Sequence, residues 1–125
     1  MNYLMDTHVL LWWLTDDPRL GTRVRELLST KPVWCSVVTP WEIAVKETLG
    51  KIELPPEFDE VLGSAGFIRL DVSFDHIKEL RTLPLLHKDP FDRLLIAQSI
   101  SEELILITDD HQIHRYNLPA IRASG

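Results

Sequence analysis

The chain has little cysteine, little glycine and too few cations for its anions. One cysteine, Cys35, is present among 125 residues. A single thiol cannot close an internal disulfide, so nothing here requires an oxidising compartment. Its setting, "VWCSVV", suits a small buried hydrophobe better than a reactive group. The five glycines are scattered and form no phosphate-cradling loop. There is no GxSxG nucleophile elbow and no HExxH. With Cys35 alone beside five histidines there is no zinc-ligand set. No apolar run approaches the roughly 20 residues needed to cross a bilayer. "MNYLMDTHVLLWWL" lacks a basic leading segment and a small-residue cleavage site, so the expectation is a cytoplasmic chain without a secretory leader. Thirteen Lys and Arg stand against nineteen Asp and Glu, a net charge of −6. That balance argues against holding nucleic acid by a broad basic face.

What is present is a chain for one core. Apolar residues are 45% and charged residues 26%, the composition of a folded soluble domain. Residues 1–125 read as one unit, without repeats or linkers. Short apolar runs alternate with amphipathic stretches. "YLMD", "VWCSVV", "FIRLDV", "LILIT" and "LPAI" read as strands. "THVLLWWLTDD", "LGTRVRELLST", "TPWEIAVKETL", "PPEFDEVLGSAG" and "SFDHIKELRTL" read as helices. A last helix runs from about Pro90 to Ser101. Gly50 is the expected stop of the helix that starts at Thr39. Alternating strands and helices with short connections predict a three-layer α/β/α sandwich around a mostly parallel sheet. Ligands of such sheets bind beyond the carboxyl ends of the strands.

Acidic residues collect at that edge. Asp6 ends the first strand, Glu42 lies one turn into the helix after "VWCSVV", and Asp109 and Asp110 follow "LILIT". In "HKDPFDRLLIAQS", Asp89 is placed to cap a helix whose first residue is Pro90. Asp92 then heads the apolar face formed by Leu95, Ile96 and Ile100. Each position also has a purely structural reading. Thr39 and Glu42 have the spacing of a capping box, and so do Asp89 and Asp92. Asp6 and Asp109-Asp110 are ordinary turn or cap residues taken singly. Gathered on one edge, carboxylates about 4–7 Å apart repel by roughly 2–4 kcal/mol per pair. A cation or a shared proton has to offset that, and all-oxygen ligation suits Mg²⁺ or Mn²⁺. His111 and His114 share a helical spacing but lack a third ligand, and are expected on the solvated surface. Trp12 and Trp13 point about 100° apart on a helix, so at least one is an interface candidate.

"MDTHVLLWWL", "VVTPWEIAVKETLGKIEL", "HKDPFDRLLIAQS" and "LILITDDHQIHRY" resemble, in order and spacing, the successive motifs of the PIN-domain ribonucleases. The similarity is greatest to the VapC-type toxins of toxin–antitoxin pairs. The resemblance implies hydrolysis of RNA phosphodiesters with Mg²⁺ or Mn²⁺, an antitoxin protein as partner, and a homodimer. Carried over by motif, the catalytic and metal-binding residues are Asp6, Glu42, Asp92 and Asp110. Asp109 competes with Asp110 for the fourth place, and Asp89 stands as cap first and ligand second. Thr7, Thr108 and Arg93 are candidates for hydrogen bonds or a phosphate contact, and Lys46 for a helical salt bridge to Glu42. Two other functions remain open. A non-catalytic binding module of the same fold would be expected to lose an acidic position. Another Mg²⁺-dependent phosphohydrolase with an aspartate nucleophile would need a second Asp after the first strand, which "MDTHV" lacks.

Overall fold

Alternation along the strands decides which face of the sheet each side chain covers. In the computed structural model, which describes residues 1–125, Leu4 and Leu106 face one side while their chain neighbours Met5 and Ile107 face the other, all fully buried. Side chains of period two must do this when both faces of a sheet are covered. The elements in chain order are β1 (Tyr3–Met5), α1 (Thr7–Leu14), α2 (Thr22–Thr30), β2 (Val33–Ser36), α3 (Val38–Thr48) and α4 (Phe58–Ser64). There follow β3 (Ile68–Leu70), α5 (Phe74–Thr82), α6 (Pro90–Ser101), β4 (Ile105–Ile107), a 3-10 turn (Ile113–Arg115) and β5 (Ala120–Ile121).

The strands form one sheet in the order β3-β2-β1-β4-β5, and every pairing is parallel. The expected "mostly parallel" sheet is thus wholly parallel. Met5, Val9, Leu10, Val24, Leu28 and Phe58 build the core between the sheet and α1, α2 and α4. Leu4, Leu70, Leu95, Ile96 and Leu106 build the second core under α5 and α6. The α/β/α layering read from the sequence is present. No helix is long and apolar enough to cross a membrane.

Two details depart from the sequence reading. The strand in "VWCSVV" stops at Ser36, and α3 starts at Val38 rather than Thr39. Ser36 turns the chain: its Oγ accepts the N–H of Val38 at 3.1 Å and donates to Gln98 Oε1 on α6. The β-branched pair Val37-Val38 therefore belongs to the helix entrance. The expected stop at Gly50 is present, with φ of +72° just past the C-cap Leu49.

The order of the strands places the site. The chain winds outward from β1 through β2 to β3, then returns to β1's other side for β4. The switch point lies between β1 and β4, where doubly wound sheets open a crevice at the strand ends. Asp6 and Thr108 are the first residues beyond those two strands.

Candidate metal centre

Asp6 leaves β1 and caps α1, with Oδ1 accepting the N–H of Thr7 at 2.7 Å. Its Oδ2 accepts the hydroxyl of Thr108 at 2.7 Å and lies 3.1 Å from His8 Nδ1. Burial alone would raise its pKa. The hydrogen bonds from His8, Thr108 and the Thr7 backbone, with the charge of His8, outweigh burial and hold it below 3.8. Asp6 is therefore an ionised, pinned carboxylate.

Glu42 reaches the same place from α3, which packs against both α1 and α6. Its Oε1 accepts the hydroxyl of Thr7 at 2.6 Å, and its Oε2 meets Lys46 Nζ at 2.7 Å. The capping-box alternative fails here. Val37 is the N-cap, so Glu42 lies in the second turn, and the buried Thr39 hydroxyl has no hydrogen-bond partner. The helical salt bridge of Lys46 is present. The Glu42 hydrogen bond, the largest cause, raises the Lys46 pKa, supported by the charges of Glu42, Asp89 and Asp92.

Asp89 and Asp92 divide the labour at the start of α6. Asp89 is the cap: Oδ1 accepts the N–H of Asp92 at 2.9 Å. Asp92 returns no bond to the cap and turns inward, 8% exposed. Its pKa is raised to about 8, first by burial and then by the charges of Asp6, Asp89, Glu42 and Asp110. Each of these acids must be near Asp92 to act on it, so the four neighbours outline the site.

Past β4, the two adjacent acids separate. Asp109 Oδ1 accepts from the N–H and hydroxyl of Ser124, away from the cleft. Asp110 faces the cleft, its Oδ2 3.5 Å from His87 Nε2 and its N–H donating to Thr108 Oγ1 at 3.0 Å. Asp6, Glu42, Asp92 and Asp110 thus line one open cleft of about 320 Å³, with Lys46 and Asp89 at its edge.

Two histidines belong to this cleft that sequence reasoning did not single out. His8 sits between Asp6 and the Asp109 N–H, which donates to its Nε2 at 3.1 Å. Burial lowers its pKa, but the Asp6 hydrogen bond and the charges of Asp6, Asp109 and Asp92 raise it overall. Both of its nitrogens thus have protein partners, Nδ1 with Asp6 and Nε2 with the Asp109 N–H. His87 Nε2 lies 2.7 Å from Asp92 Oδ2. Its loop is clamped, because Tyr116 Oη accepts the N–H groups of Leu86 and His87 and donates to Pro84 O. The signal for both was proximity to an acid in the chain, two residues after Asp6 and five before Asp92. That signal is weak without the fold.

Three other expectations are resolved by the structure. Of its two candidate roles Arg93 takes the hydrogen-bonding one: its Nη1 donates to Pro84 O, His87 O and Tyr116 Oη and braces the His87 loop. His114 is half-buried and bonds the carbonyl of Thr108 at 2.8 Å, while His111 is exposed as expected. Trp12 and Trp13 are both half-buried, Trp12 between His8 and Arg19. The exposed tryptophan is Trp41, 54% accessible and edge-on to Phe91 at 4.7 Å.

The donor set fits a divalent cation. It offers four carboxylates, one of which cannot ionise comfortably without added positive charge, at an edge open to solvent.

Known proteins agree with this fold. No curated protein matches the chain. Solved structures match it over nearly its whole length. VapBC2 from Rickettsia felis, bound to a DNA fragment from its promoter, has 15% identity, 98% coverage of both chains and a TM-score of 0.75. A toxin–antitoxin complex from Klebsiella pneumoniae has 19% identity, 97% coverage of both and a TM-score of 0.67. FitAcB from Neisseria gonorrhoeae has 18% identity, 98% coverage of both and a TM-score of 0.70. At these identities the likeness is one of fold. The sequence profile of the PIN domain matches residues 3–118, and with it the chain belongs to the PIN domain family.

Proposed function

We propose that the chain is a divalent-metal-dependent endoribonuclease, the toxin of a toxin–antitoxin pair, with Asp6, Glu42, Asp92 and Asp110 as its catalytic and metal-binding residues. The observation that carries this is the convergence of four acids from four segments of the chain on one open cleft. Burial and the acidic neighbours raise the Asp92 pKa to about 8, in keeping with that crowding.

A bound Mg²⁺ or Mn²⁺ would lower the pKa of an attached water and offset charge on the reacting phosphate. The chain's own groups supply the rest. Asp6 is ionised before any ligand arrives, because three donors already hold it. Burial and the neighbouring acids raise the Asp92 pKa, and a bound cation would offset both, favouring its ionised form. Glu42 keeps its carboxylate oriented between Thr7 and Lys46. Lys46, partly exposed at the cleft edge, is the cation placed to meet a phosphate. Without an added cation the cleft repels a polyanion, which reconciles a net charge of −6 with a nucleic-acid substrate.

The partner reading follows the solved neighbours, which include toxin–antitoxin complexes. On this reading the chain works in the cytoplasm and is masked by a small cognate antitoxin. Trp41 on α3 and Leu49 just past its end, both exposed, offer apolar surface for pairing two copies as a homodimer.

The test is cleavage of a structured RNA with Mn²⁺, with chelator and single-stranded DNA as controls. Metal-dependent RNA cleavage lost in Asp92→Asn supports the proposal. Equal cleavage by wild type and Asp92→Asn removes it.

A further inference from the structure

His87 stands out among the groups around the cleft. Its Nε2, the Asp92 carboxylate and the Asp110 carboxylate each offer one donor atom, and the three atoms lie within 4.8 Å of one another. Nε2 is 2.7 Å from Asp92 Oδ2 and 3.5 Å from Asp110 Oδ2. Donors bound side by side to one ion at about 2.1 Å are roughly 3.0–3.5 Å apart, so an ion taking the place of the His87–Asp92 hydrogen bond needs only sub-ångström to ångström adjustments of these three atoms. His8 provides the contrast. Both its nitrogens are committed to protein partners, Nδ1 to Asp6 and Nε2 to the Asp109 N–H. The only partners of the His87 ring are the two carboxylates, through Nε2, which points into the cleft.

The loop that carries His87 is held as a ligand-bearing loop must be. Tyr116 Oη fixes Leu86 and His87 through their N–H groups, and Arg93 takes the His87 carbonyl at 3.4 Å. The ring itself is 16% exposed, accessible enough to meet an ion and enclosed enough to keep its direction. Preorganised donors of this kind set which ion a site takes.

From this placement we infer that His87 is a nitrogen ligand of the metal centre, sharing one ion with Asp92 and Asp110. One imidazole among carboxylates favours first-row transition ions over Mg²⁺, which takes oxygen ligands, and Mn²⁺ is the member of that row that also accepts a carboxylate-rich shell. The inference rests on the metal-binding reading above and deepens it: the centre is selective for a transition ion, not an all-oxygen Mg²⁺ site.

The probe is Mn²⁺ itself, added to the metal-free protein. Electron spin-echo spectra of bound Mn²⁺ should show modulation by a directly bonded nitrogen, changing in frequency when the histidines carry ¹⁵N. The modulation should vanish in His87→Ala and persist in His8→Gln. By calorimetry, His87→Ala should lose about tenfold or more in Mn²⁺ affinity while Mg²⁺ affinity changes by less than about threefold. Bound Mn²⁺ without nitrogen modulation would overturn the ligand role and leave the carboxylate site standing. Modulation that survives in His87→Ala would overturn it equally. Wild-type protein that binds no Mn²⁺ would overturn both this inference and the metal reading beneath it. The spectrum of the wild type decides the matter even if a variant folds poorly.

Discussion

Asp92 is the residue on which charge and stability meet. Its pKa in the folded chain, about 8, lies above the ordinary 3.8. Between those values the folded state keeps a proton that the unfolded chain has released. Metal-free stability must therefore fall as pH rises from about 4 to about 8, and level off above. Asparagine does not titrate. Asp92→Asn should match wild type near pH 4 and exceed it near pH 8 by about 1–2 kcal/mol, after relaxation and screening. Urea unfolding in chelator at the two pH values measures this. A constant difference across pH would mean that Asp92 is not the raised group. Asp6 works in the opposite direction, its lowered pKa contributing stability above 3.8 that is lost in acid. Asp89→Asn should change RNA cleavage less than about threefold, since asparagine caps a helix about as well as aspartate. Loss of cleavage comparable to that of Asp92→Asn would make Asp89 a ligand.

At this scale the acids were legible in the sequence and the histidines were not. An acidic residue at the end of an apolar strand stands out against its surroundings. A histidine in "DTH" or "HKDP" does not, because its partner nitrogen or oxygen is chosen by the fold. Asp109 and Asp110 also could not be told apart by pattern. What separates them is the C-terminal Ser124, which takes Asp109 for itself.

Among the elements, α3 shows how local pattern misleads. "VVTPWE" offers a β-branched run followed by a capping-box spacing, and both point to a helix start at Thr39. Ser36 ends the strand earlier by bonding Val38 and Gln98, so Thr39 falls inside the helix with a buried, unpartnered hydroxyl. The two placements predict opposite outcomes for Thr39→Val. A lost N-cap costs about 1 kcal/mol. Removing an unpaired buried hydroxyl while keeping its volume should instead stabilise by up to about 1 kcal/mol. We expect the second, read from the midpoint of urea unfolding at unchanged slope. Destabilisation by about 1 kcal/mol would restore the cap reading. The long helix α6 was legible end to end. Asp89 caps it, Pro90 opens it and its apolar positions recur at helical spacing, so every local signal agrees with the packing.

For the whole molecule, the parallel sheet was legible because helical segments separate successive strands and no two strands are joined by a tight hairpin turn. The strand order was not, and the order makes the site: the return of the chain to the far side of β1 brings Thr108 and Asp110 beside Asp6. Four acids from four segments then share one cleft at the cost of mutual repulsion, and a ligand that binds only the folded state should relieve it. Thermal unfolding of wild type and Asp92→Asn near pH 8, in chelator and in Mn²⁺, tests this most directly. Asp92→Asn should melt above wild type in chelator. Mn²⁺ should then raise the wild type by several degrees and the variant far less. If Asp92→Asn melts below wild type in chelator and Mn²⁺ shifts both equally, these carboxylates are helix caps and not a metal centre.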